Sequence, residues 1–499
     1  MMRTLRSYVA LGALGLALAG CATAGPDYTP PEHSVANTPA AQGSFDSGDD
    51  GAFAQADLPD HWWRLYEDPR LDALVEEALS ANADLRAAEE NVLRADGVVR
   101  EQAGEYGFGT ELSANVQQER NYSLRSANTN LPGVLTGTFG LSVTYPLDLH
   151  GKIKRGIEAS LADRAAREAA RDTVRTTVAA ATARAYANVC TSNYQIATVK
   201  KVVRLQEETL DATKRLQKGG RGTSFDVSRA QTAVDASRAN LPALYARRKG
   251  ALYLLATLLG KAPADYPRDV ENCASLPRLS RPLPIGDGAA LIRRRPDIRE
   301  AERTIAADTA RIGVVTADLY PSISLAGGIM AFNQAKNLPK QESLSFGLGP
   351  LLSWSWPYQS QVRARIDQAN SQVRGDIARF DATVLEALRS AETSLDEYAR
   401  GRERAAALGK AADSAGVSAA QANKLFRFGR ADFLSLLTAQ RELASAEVSH
   451  AAAEAALVDN QIAVFLALGG GWQKDADEEA AAAQAAADAS QAPGNPEAN

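Results

Sequence analysis

Side chains that could do covalent or metal chemistry are few in this chain and far apart. The 499 residues include four histidines and three cysteines, and neither set has the spacing of a metal site or a disulfide framework. Asp148, His150 and an acid such as Glu158 could together serve acid–base hydrolysis. Lone acids and a lone histidine beside a strand end are far more often solvated, so we expect no enzyme, no metal and no cofactor.

One cysteine lies in a context that predicts covalent modification. Residues 1–20 have a basic start and an apolar run, which is typical of a secretory signal peptide. The sequence Leu18-Ala-Gly-Cys21 resembles a bacterial lipobox, in which cleavage makes the cysteine the first residue and acyl chains are added to it. We therefore predict a lipid on Cys21, the alternative being an ordinary leader with a chance cysteine. Ala22 follows rather than aspartate, which implies retention in the outer membrane.

The other two cysteines, Cys190 and Cys273, are most simply small buried or interfacial residues. An exported protein reaches an oxidising compartment, however, so a disulfide is open to them if the fold brings them together.

Composition excludes further classes of function. The chain is 45% hydrophobic and 23% charged, and its net charge of -5 argues against a nucleic-acid partner. Only 6% of residues are aromatic, and alanine replaces large side chains, as suits long helices that pack closely along their length.

Two pairs of strands are predicted from alternation of apolar and polar residues. The first pair covers 110–117 and 138–145, joined by a polar loop with Asn128 and Asn130; the second covers 323–329 and 344–356. Trp354 and Trp356 stand at the end of the last strand, where tryptophan is typical of a membrane interface.

Long helices follow each strand pair. Apolar residues spaced by threes, fours and sevens predict a coiled-coil helix over 153–217 and a second one that ends near residue 427, each roughly 100 Å long. Helical spacing also predicts shorter helices over 71–104, from about 224 to 259, and over 297–318.

The second half of the chain repeats the first. Gly220 and Arg221 match Gly429 and Arg430 at an offset of 209 residues, and each pair ends a long helix. An offset this long predicts two whole structural halves rather than a solenoid.

The expected domain organisation follows from these patterns. It comprises a signal peptide at 1–20, a lipidated tether at 21–57, a first repeat at 58–262, a crossover at 263–284, a second repeat at 285–472 and a disordered acidic tail at 473–499.

Apart from the leader, no apolar run reaches the roughly 18 residues of a membrane helix. Four strands of one chain cannot close a sheet in lipid, so closure would need other copies: two copies give eight strands, and three give twelve.

Several motifs resemble those of the outer membrane factor family, the TolC-like export ducts, and in particular its NodT-type lipoprotein branch. They are Leu283-Pro-Ile-Gly-Asp-Gly288, Leu291-Ile-Arg-Arg-Arg-Pro-Asp-Ile-Arg-Glu-Ala-Glu302, Tyr320-Pro-Ser-Ile-Ser-Leu325, Tyr145-Pro-Leu-Asp-Leu-His-Gly151 and the segment from Trp62 to Leu71. The resemblance implies an α+β membrane protein: a trimeric 12-stranded β-barrel in the outer membrane, four strands per chain, continuing into a periplasmic α-helical barrel. It implies a passive duct that serves a periplasmic adaptor (a membrane fusion protein) and an inner-membrane resistance-nodulation-division pump.

Two groups of site residues follow. We expect adaptor contacts at the helical tips, because glycine lets the turn backbone approach a partner and arginine offers fork-shaped donors; the tip residues are Gly219, Gly220, Arg221, Thr223, Arg427, Gly429, Arg430 and Asp432. The resemblance places the periplasmic gate at Leu434, Thr438 and Arg441. Many relatives have an aspartate in place of Thr438, so here we expect the apolar Leu434 ring to close the duct. The alternatives are glycines that only cap helices, and a Leu434 that packs within its own hairpin.

Two other functions share much of this pattern. A periplasmic scaffold lipoprotein without transport would have similar coiled coils, although it has no use for strands with tryptophan ends. A type I secretion duct would carry a polypeptide instead of drugs or other small molecules.

Overall fold

A computed structural model describes residues 22–49, 51–119, 134–273, 275–334, 341–357 and 359–472. The predictions for the signal peptide, Cys21, the polar loop at Asn128 and Asn130, and the acidic tail lie outside these residues. The chain divides into two compact units. Of the described residues, the sheet unit contains those within 22–32, 91–168 and 300–380, and the helical unit contains those within 33–90, 169–299 and 381–472.

The described helices and strands follow one another in an order that occurs twice. The helices are α1 Pro39–Gln42, α2 Pro69–Ala81, α3 Ala83–Gly104, α4 Lys152–Lys218, α5 Ser224–Arg238, α6 Leu241–Leu258, α7 Gly288–Arg294, α8 Pro296–Ala317, α9 Gln359–Arg427 and α10 Phe433–Ala467. The strands are β1 Phe53–Ala54, β2 Gly109–Glu119, β3 Val134–Leu147, β4 Leu283–Pro284, β5 Ser322–Gln334 and β6 Leu344–Ser353. The series α2, α3, β2, β3 and α4 corresponds to α7, α8, β5, β6 and α9, and the pair α5 and α6 corresponds to the single helix α10.

The sheet unit is built on a four-stranded antiparallel sheet in the order β2-β3-β5-β6. Its strands contain the predicted segments 110–117, 138–145 and 323–329 and the first ten residues of 344–356; β6 ends at Ser353, so Trp354 and Trp356 follow the strand directly. The two hairpins therefore join through β3 and β5, which leaves β2 and β6 as the edge strands.

Both long helices are confirmed. Helix α4 runs over 67 residues and α9 over 69. The residues of the predicted seam are largely buried, among them Val189 and Val199 on α4 and Val384 and Leu395 on α9. Small and apolar side chains thus form the packed stripe that a helix of this length needs.

Two predicted helices are each broken into two. The helix over 71–104 stops at Asn82, whose side-chain oxygen accepts the N–H groups of Asp84 and Leu85 (2.9 and 3.1 Å) and so caps α3. The helix from 224 to 259 stops at Ala239 because Pro242, in the first turn of α6, has no N–H to continue the ladder.

The prediction that residues 21–57 form a tether, with order beginning near Leu58, is wrong for residues 22–49. In the sheet unit, the N–H of Ala24 donates to the carbonyl of His150 at 2.9 Å. The guanidinium of Arg155, almost fully buried, donates to the carbonyl of Ala24 (3.0 Å) and to Asp27 (2.7 Å). These residues are held by partners far away in sequence, which local periodicity cannot show.

In the helical unit the same segment forms short capped turns. Ser34 accepts the N–H of Ala36, and Thr38 accepts the N–H of Ala41 at the start of α1. The Ser34 hydroxyl also donates to Asp381 at 2.6 Å. Turns of this kind have no apolar repeat, so their sequence is typical of a loop.

Cys190 and Cys273 are joined by a disulfide that fastens the crossover to α4. The simpler expectation of two separate small residues was wrong, and the alternative of a disulfide is confirmed. The disulfide closes a sequence separation of 83 residues that contains the end of α4, α5 and α6.

A cluster of acids and arginines connects α4, α8 and α9 in the sheet unit, where Arg311 on α8 also pairs with Asp163 on α4. Asp376 on α9, 3% exposed, accepts from Gln372 and pairs with Arg379, while Asp308 on α8 pairs with Arg311. Burial, the hydrogen bond to Asp308 and the Asp308 charge raise the pKa of Asp376 to about 6. Burial also acts to raise the pKa of Asp308, but hydrogen bonds from Asp376 and Arg311 outweigh it and hold that pKa below its usual range. The two carboxyls therefore share a proton in mildly acidic solution.

Candidate functional site

One face of the four-stranded sheet is apolar across its width. The register aligns Leu112 with Leu141, Leu141 with Ile329, and Ile329 with Phe346. Leu112 is 79% exposed and Phe346 87% exposed, so this row is uncovered in the single chain. Successive residues of a strand point to opposite faces, so the rows two residues away share this face. They include Phe139 with Leu344, Val143 with Leu348, and Leu147 with Ile323 and Leu352.

The opposite face is mainly small and polar. One row pairs Glu111 with Ser142, followed by Gly328 and Gly347, and another pairs Asn115 with Thr138. Met330, Phe332 and Leu351 are large apolar side chains on this face. A sheet with one apolar exposed face and one polar face has the pattern of a wall between lipid and water.

Tryptophans mark one end of the apolar face. Trp354 is 46% exposed and Trp356 is 66% exposed, and the indole N–H of Trp354 donates to the carbonyl of Leu319 at 3.2 Å. Each ring thus offers an apolar body and a polar edge, as interfacial tryptophans do. None of the helices in the described part of the chain is both long and apolar enough to cross a membrane.

The two helical tips are built in the same way. At the first, the N–H of Arg221 donates to Leu216 and that of Gly220 to Gln217; at the second, Arg430 donates to Leu425. These are Schellman C-caps with a left-handed glycine, φ +71° at Gly220 and φ +70° at Gly429.

A polar cap begins the helix after each tip. Thr223 accepts the N–H of Asp226, whose carboxylate accepts the N–H of Thr223, and Asp432 accepts the N–H of Ser435 at 2.7 Å. Hydrogen bonds from Ser435 hold the pKa of Asp432 below its usual range. Of the predicted tip residues, Thr223 and Asp432 therefore have a structural role in the turn.

The tip surface is open and basic. A Cβ placed on Gly220 or Gly429 would meet nothing within 4 Å, and Arg427 is exposed. Arg221, Arg427 and Gly429 line one cavity of about 740 Å³ that also includes Glu208 and Asp211. The structure thus brings residues of both tips together around a single cavity.

The three predicted gate residues lie on one exposed face of α10. Leu434 is 49% exposed, and Thr438 and Arg441 are exposed as well. The buried face of α10 carries other residues, among them Gln440, whose amide donates to the Thr209 hydroxyl at 2.6 Å. About half of the Leu434 side chain is thus uncovered in the single chain, on a different face of α10 from Gln440.

The three residues considered for hydrolysis are each engaged elsewhere. Asp148 accepts from the Tyr106 hydroxyl and the N–H of Lys154, the ring of His150 stacks on Tyr320 at 4.4 Å, and Glu158 pairs with Arg155 at 2.7 Å. Within the described ranges, no group of three or more His, Cys, Asp or Glu could hold a metal ion.

Sequence reasoning missed the acid pair Asp308 and Asp376 and the hydrogen bonds by which Arg155 holds Ala24 and Asp27. Each joins segments more than 60 residues apart, and Arg155, Asp308 and Asp376 each lie in a helix with many other charged residues. The repeated Asp-x-x-Arg spacing, Asp308 to Arg311 and Asp376 to Arg379, was the one available signal.

Comparison with known proteins gives one consistent family. The Outer membrane efflux protein family matches residues 74–261 and 289–470, which together are most of the chain. Nodulation protein T of Rhizobium leguminosarum bv. trifolii is 28% identical over 459 residues, covering 92% of this chain and 96% of that protein. The probable efflux pump outer membrane protein TtgC of Pseudomonas putida is 26% identical over 490 residues, covering 94% and 96%.

Solved structures agree with the sequence relatives. The outer-membrane channel OprN has a TM-score of 0.82 at 31% identity and covers 90% of this chain and 99% of its own. The outer membrane protein VceC of Vibrio cholerae, with a TM-score of 0.73 at 22% identity over 83% of this chain and 100% of its own, shares the fold.

Proposed function

The chain belongs to the outer membrane efflux protein family, and from that premise we propose that it is the outer-membrane duct of a tripartite efflux system. The duct is passive and trimeric, and it carries drugs or other small molecules delivered by a pump and an adaptor. Relatives over nearly the full length are named as efflux pump outer membrane proteins, which supports this function over a scaffold lipoprotein or an enzyme.

The observation that carries the proposal is the two-faced sheet with open sides. Its apolar face suits lipid, and strands β2 and β6 are its edges. An open edge in lipid leaves backbone N–H and C=O groups without partners, at a penalty of several kcal/mol each. Closure with other copies removes the edges. Three copies give a 12-stranded β-barrel, wide enough for a water-filled bore, while the lumen of an eight-stranded barrel is filled by side chains.

The partners follow from this assembly. We propose a homotrimer whose helices form a periplasmic α-helical barrel and meet an adaptor (a membrane fusion protein) that connects to an inner-membrane resistance-nodulation-division pump. A lipid on Cys21 adds a second anchor in the outer membrane. Residues 58–262 and 285–472 are two copies of one ancestral repeat, which the recurring order of elements supports.

The tips are the proposed adaptor contacts. Both glycines leave the turn backbone uncovered, and Arg221, Arg427 and Arg430 are exposed beside them. An adaptor that offers carbonyl or carboxylate oxygens would bind these guanidinium groups with two parallel hydrogen bonds. The hydrogen-bonded caps made by Thr223 and Asp432 restrain the turns, so less conformational entropy is lost on binding.

The exposed face of α10 is the proposed gate. In a trimer, three copies of Leu434 would meet near the axis and exclude water, while Thr438 contributes no charge. Arg441 makes no ion pair with any described residue, so an acid or a carbonyl of a neighbouring copy is its expected partner.

Single-channel conductance tests both function and gate. Purified wild-type trimers in planar bilayers should conduct poorly, and Leu434→Ser should raise conductance several-fold because a hydrated ring replaces an apolar one. Val417→Ser, at a residue of similar exposure on α9, is the matched control and should leave conductance unchanged. Intact trimers that never conduct, in either variant, would favour a scaffold. Equal conductance of the wild type and Leu434→Ser would reject this gate.

A further inference from the structure

A cavity of about 330 Å³ lies in the sheet unit, beside the ends of β3 and β6 and the first turns of α4 and α9. Its lining includes the aromatic residues Tyr320 and Trp354 and the charged residues Lys152, Asp148, Asp318 and Arg365. The channel function proposed above uses none of these residues.

Of the lysine and arginine side chains that line the cavity, Arg365 is the one without an ion-pair partner among the described residues. Lys152 pairs with Asp318 at 2.7 Å, and Asp148 accepts from the Tyr106 hydroxyl and from the N–H of Lys154. Arg365 is exposed and forms no ion pair with any described residue. The free guanidinium makes the site suited to an anion with at least two oxygens, such as a phosphate ester.

Two observations place this cavity at a lipid boundary. The apolar face of the sheet ends with the row that contains Leu147, Ile323 and Leu352, and Trp354 then lines the cavity itself. The chain that follows Cys21 docks at the same place, because Ala24 donates to the carbonyl of His150, another residue of the lining. A lipid on Cys21 and lipid against the sheet would therefore meet at this level.

We propose that the cavity binds the headgroup of a glycerophospholipid, with the phosphate on Arg365 and the glycerol against Trp354 and Tyr320. The aromatic wall favours a lipid over free phosphate, since an inorganic ion gains nothing from it. Acids already engaged beside the cation also make the site nearly neutral, which suits a zwitterionic phosphoethanolamine. The inference rests on the proposed position of the sheet in the outer membrane.

Short-chain lipids test the site on the intact purified trimer. Dihexanoyl phosphatidylethanolamine should bind the wild type and should bind Arg365→Gln about tenfold more weakly, because a charge-assisted bidentate contact is lost. Arg363→Gln is the matched control: Arg363 is also exposed on the same helix and does not line the cavity, so its loss should leave the affinity unchanged. Dihexanoylglycerol and inorganic phosphate should each bind the wild type at least tenfold more weakly than the intact lipid.

Equal affinity of Arg365→Gln and the wild type would overturn the proposal. So would inorganic phosphate that binds as tightly as the lipid, which indicates a free-anion site, or dihexanoylglycerol that does so, which indicates only apolar adsorption. These wild-type comparisons decide the matter even if Arg365→Gln fails to fold. Conductance of the same trimers separates this inference from the channel function, since a duct without the lipid site still conducts.

Discussion

Asp376→Asn should remove a dependence of stability on pH that the buried acid pair gives the fold. The amide of asparagine can donate a hydrogen bond to Asp308 as the protonated carboxyl of Asp376 does, but it cannot ionise. The substitution therefore keeps the shape and the hydrogen bond and deletes the titration. Charged groups facing the pair are Arg379 on α9, Arg311 on α8 and, through Arg311, Asp163 on α4.

The sign and size of the effect follow from the pKa of Asp376. Its ordinary value is 3.8 and its value in the fold is about 6. Between these values the unfolded chain releases a proton that the folded chain keeps, so stability is full below about pH 4 and falls as pH rises to 6. Each pKa unit corresponds to about 1.4 kcal/mol, so the loss is on the order of 3 kcal/mol per chain. Asp308, whose pKa is lowered, contributes in the opposite direction below pH 4.

Thermal unfolding of purified trimers from pH 4 to 7.5 measures this directly. The stability of Asp376→Asn relative to the wild type should increase from pH 4 to 6 and then stay constant. Glu386→Gln is the control, since that exposed acid on α9 has a pKa lowered by its hydrogen bond to Arg389 and should give no such gain. A difference between Asp376→Asn and wild type that is constant across the range would refute the shared proton.

Three further predictions concern covalent chemistry and partners. Replacing both Cys190 and Cys273 by serine should lower the free energy of unfolding by about 4 to 5 kcal/mol, because the unfolded chain regains the entropy of an 83-residue loop. Urea unfolding measures this, and an unchanged midpoint would show that the disulfide does not stabilise the fold. Metabolic palmitate should label the wild type and not Cys21→Ser, and a labelled variant would place the lipid elsewhere. Single cysteines in place of Arg221 or Arg430 should crosslink to the cognate adaptor, whereas crosslinks confined to the 263–284 segment would move the contact to the crossover.

The elements with a strong repeat were the ones that sequence could predict. Alternation over 344–356 identified β6 because one face of the sheet is apolar and the other is polar, and the seam of α4 identified a 67-residue helix because its buried residues recur along one stripe. The two Schellman turns were visible because each needs a glycine in the left-handed region, and Gly220 and Gly429 mark them.

What sequence missed depends on contacts between distant segments. Residues 22–49 are held by Arg155, Asp381 and other residues far along the chain. Contacts of this kind need no apolar repeat, so the sequence of the segment gave no sign of its order. The single-helix prediction from residue 224 failed at Pro242, where one residue outweighed a good apolar pattern. In the candidate site, helical spacing was enough to put Leu434, Thr438 and Arg441 on one face of α10. The cavity beside Trp354 could not be predicted in this way, because its lining comes from two hairpins and three helices that meet only in the fold.

The disulfide makes the two otherwise similar halves mechanically unequal. It closes a ring that contains the whole first tip, while residues 285–472 contain no cysteine and so cannot have such a staple. The hairpin of α4 with α5 and α6 is therefore stiff at its base, and the hairpin of α9 and α10 is the more compliant arm. In the gate proposed above, bending that widens the helical end should therefore occur mainly in α9 and α10, the hairpin that carries Leu434, because the disulfide restrains the other hairpin.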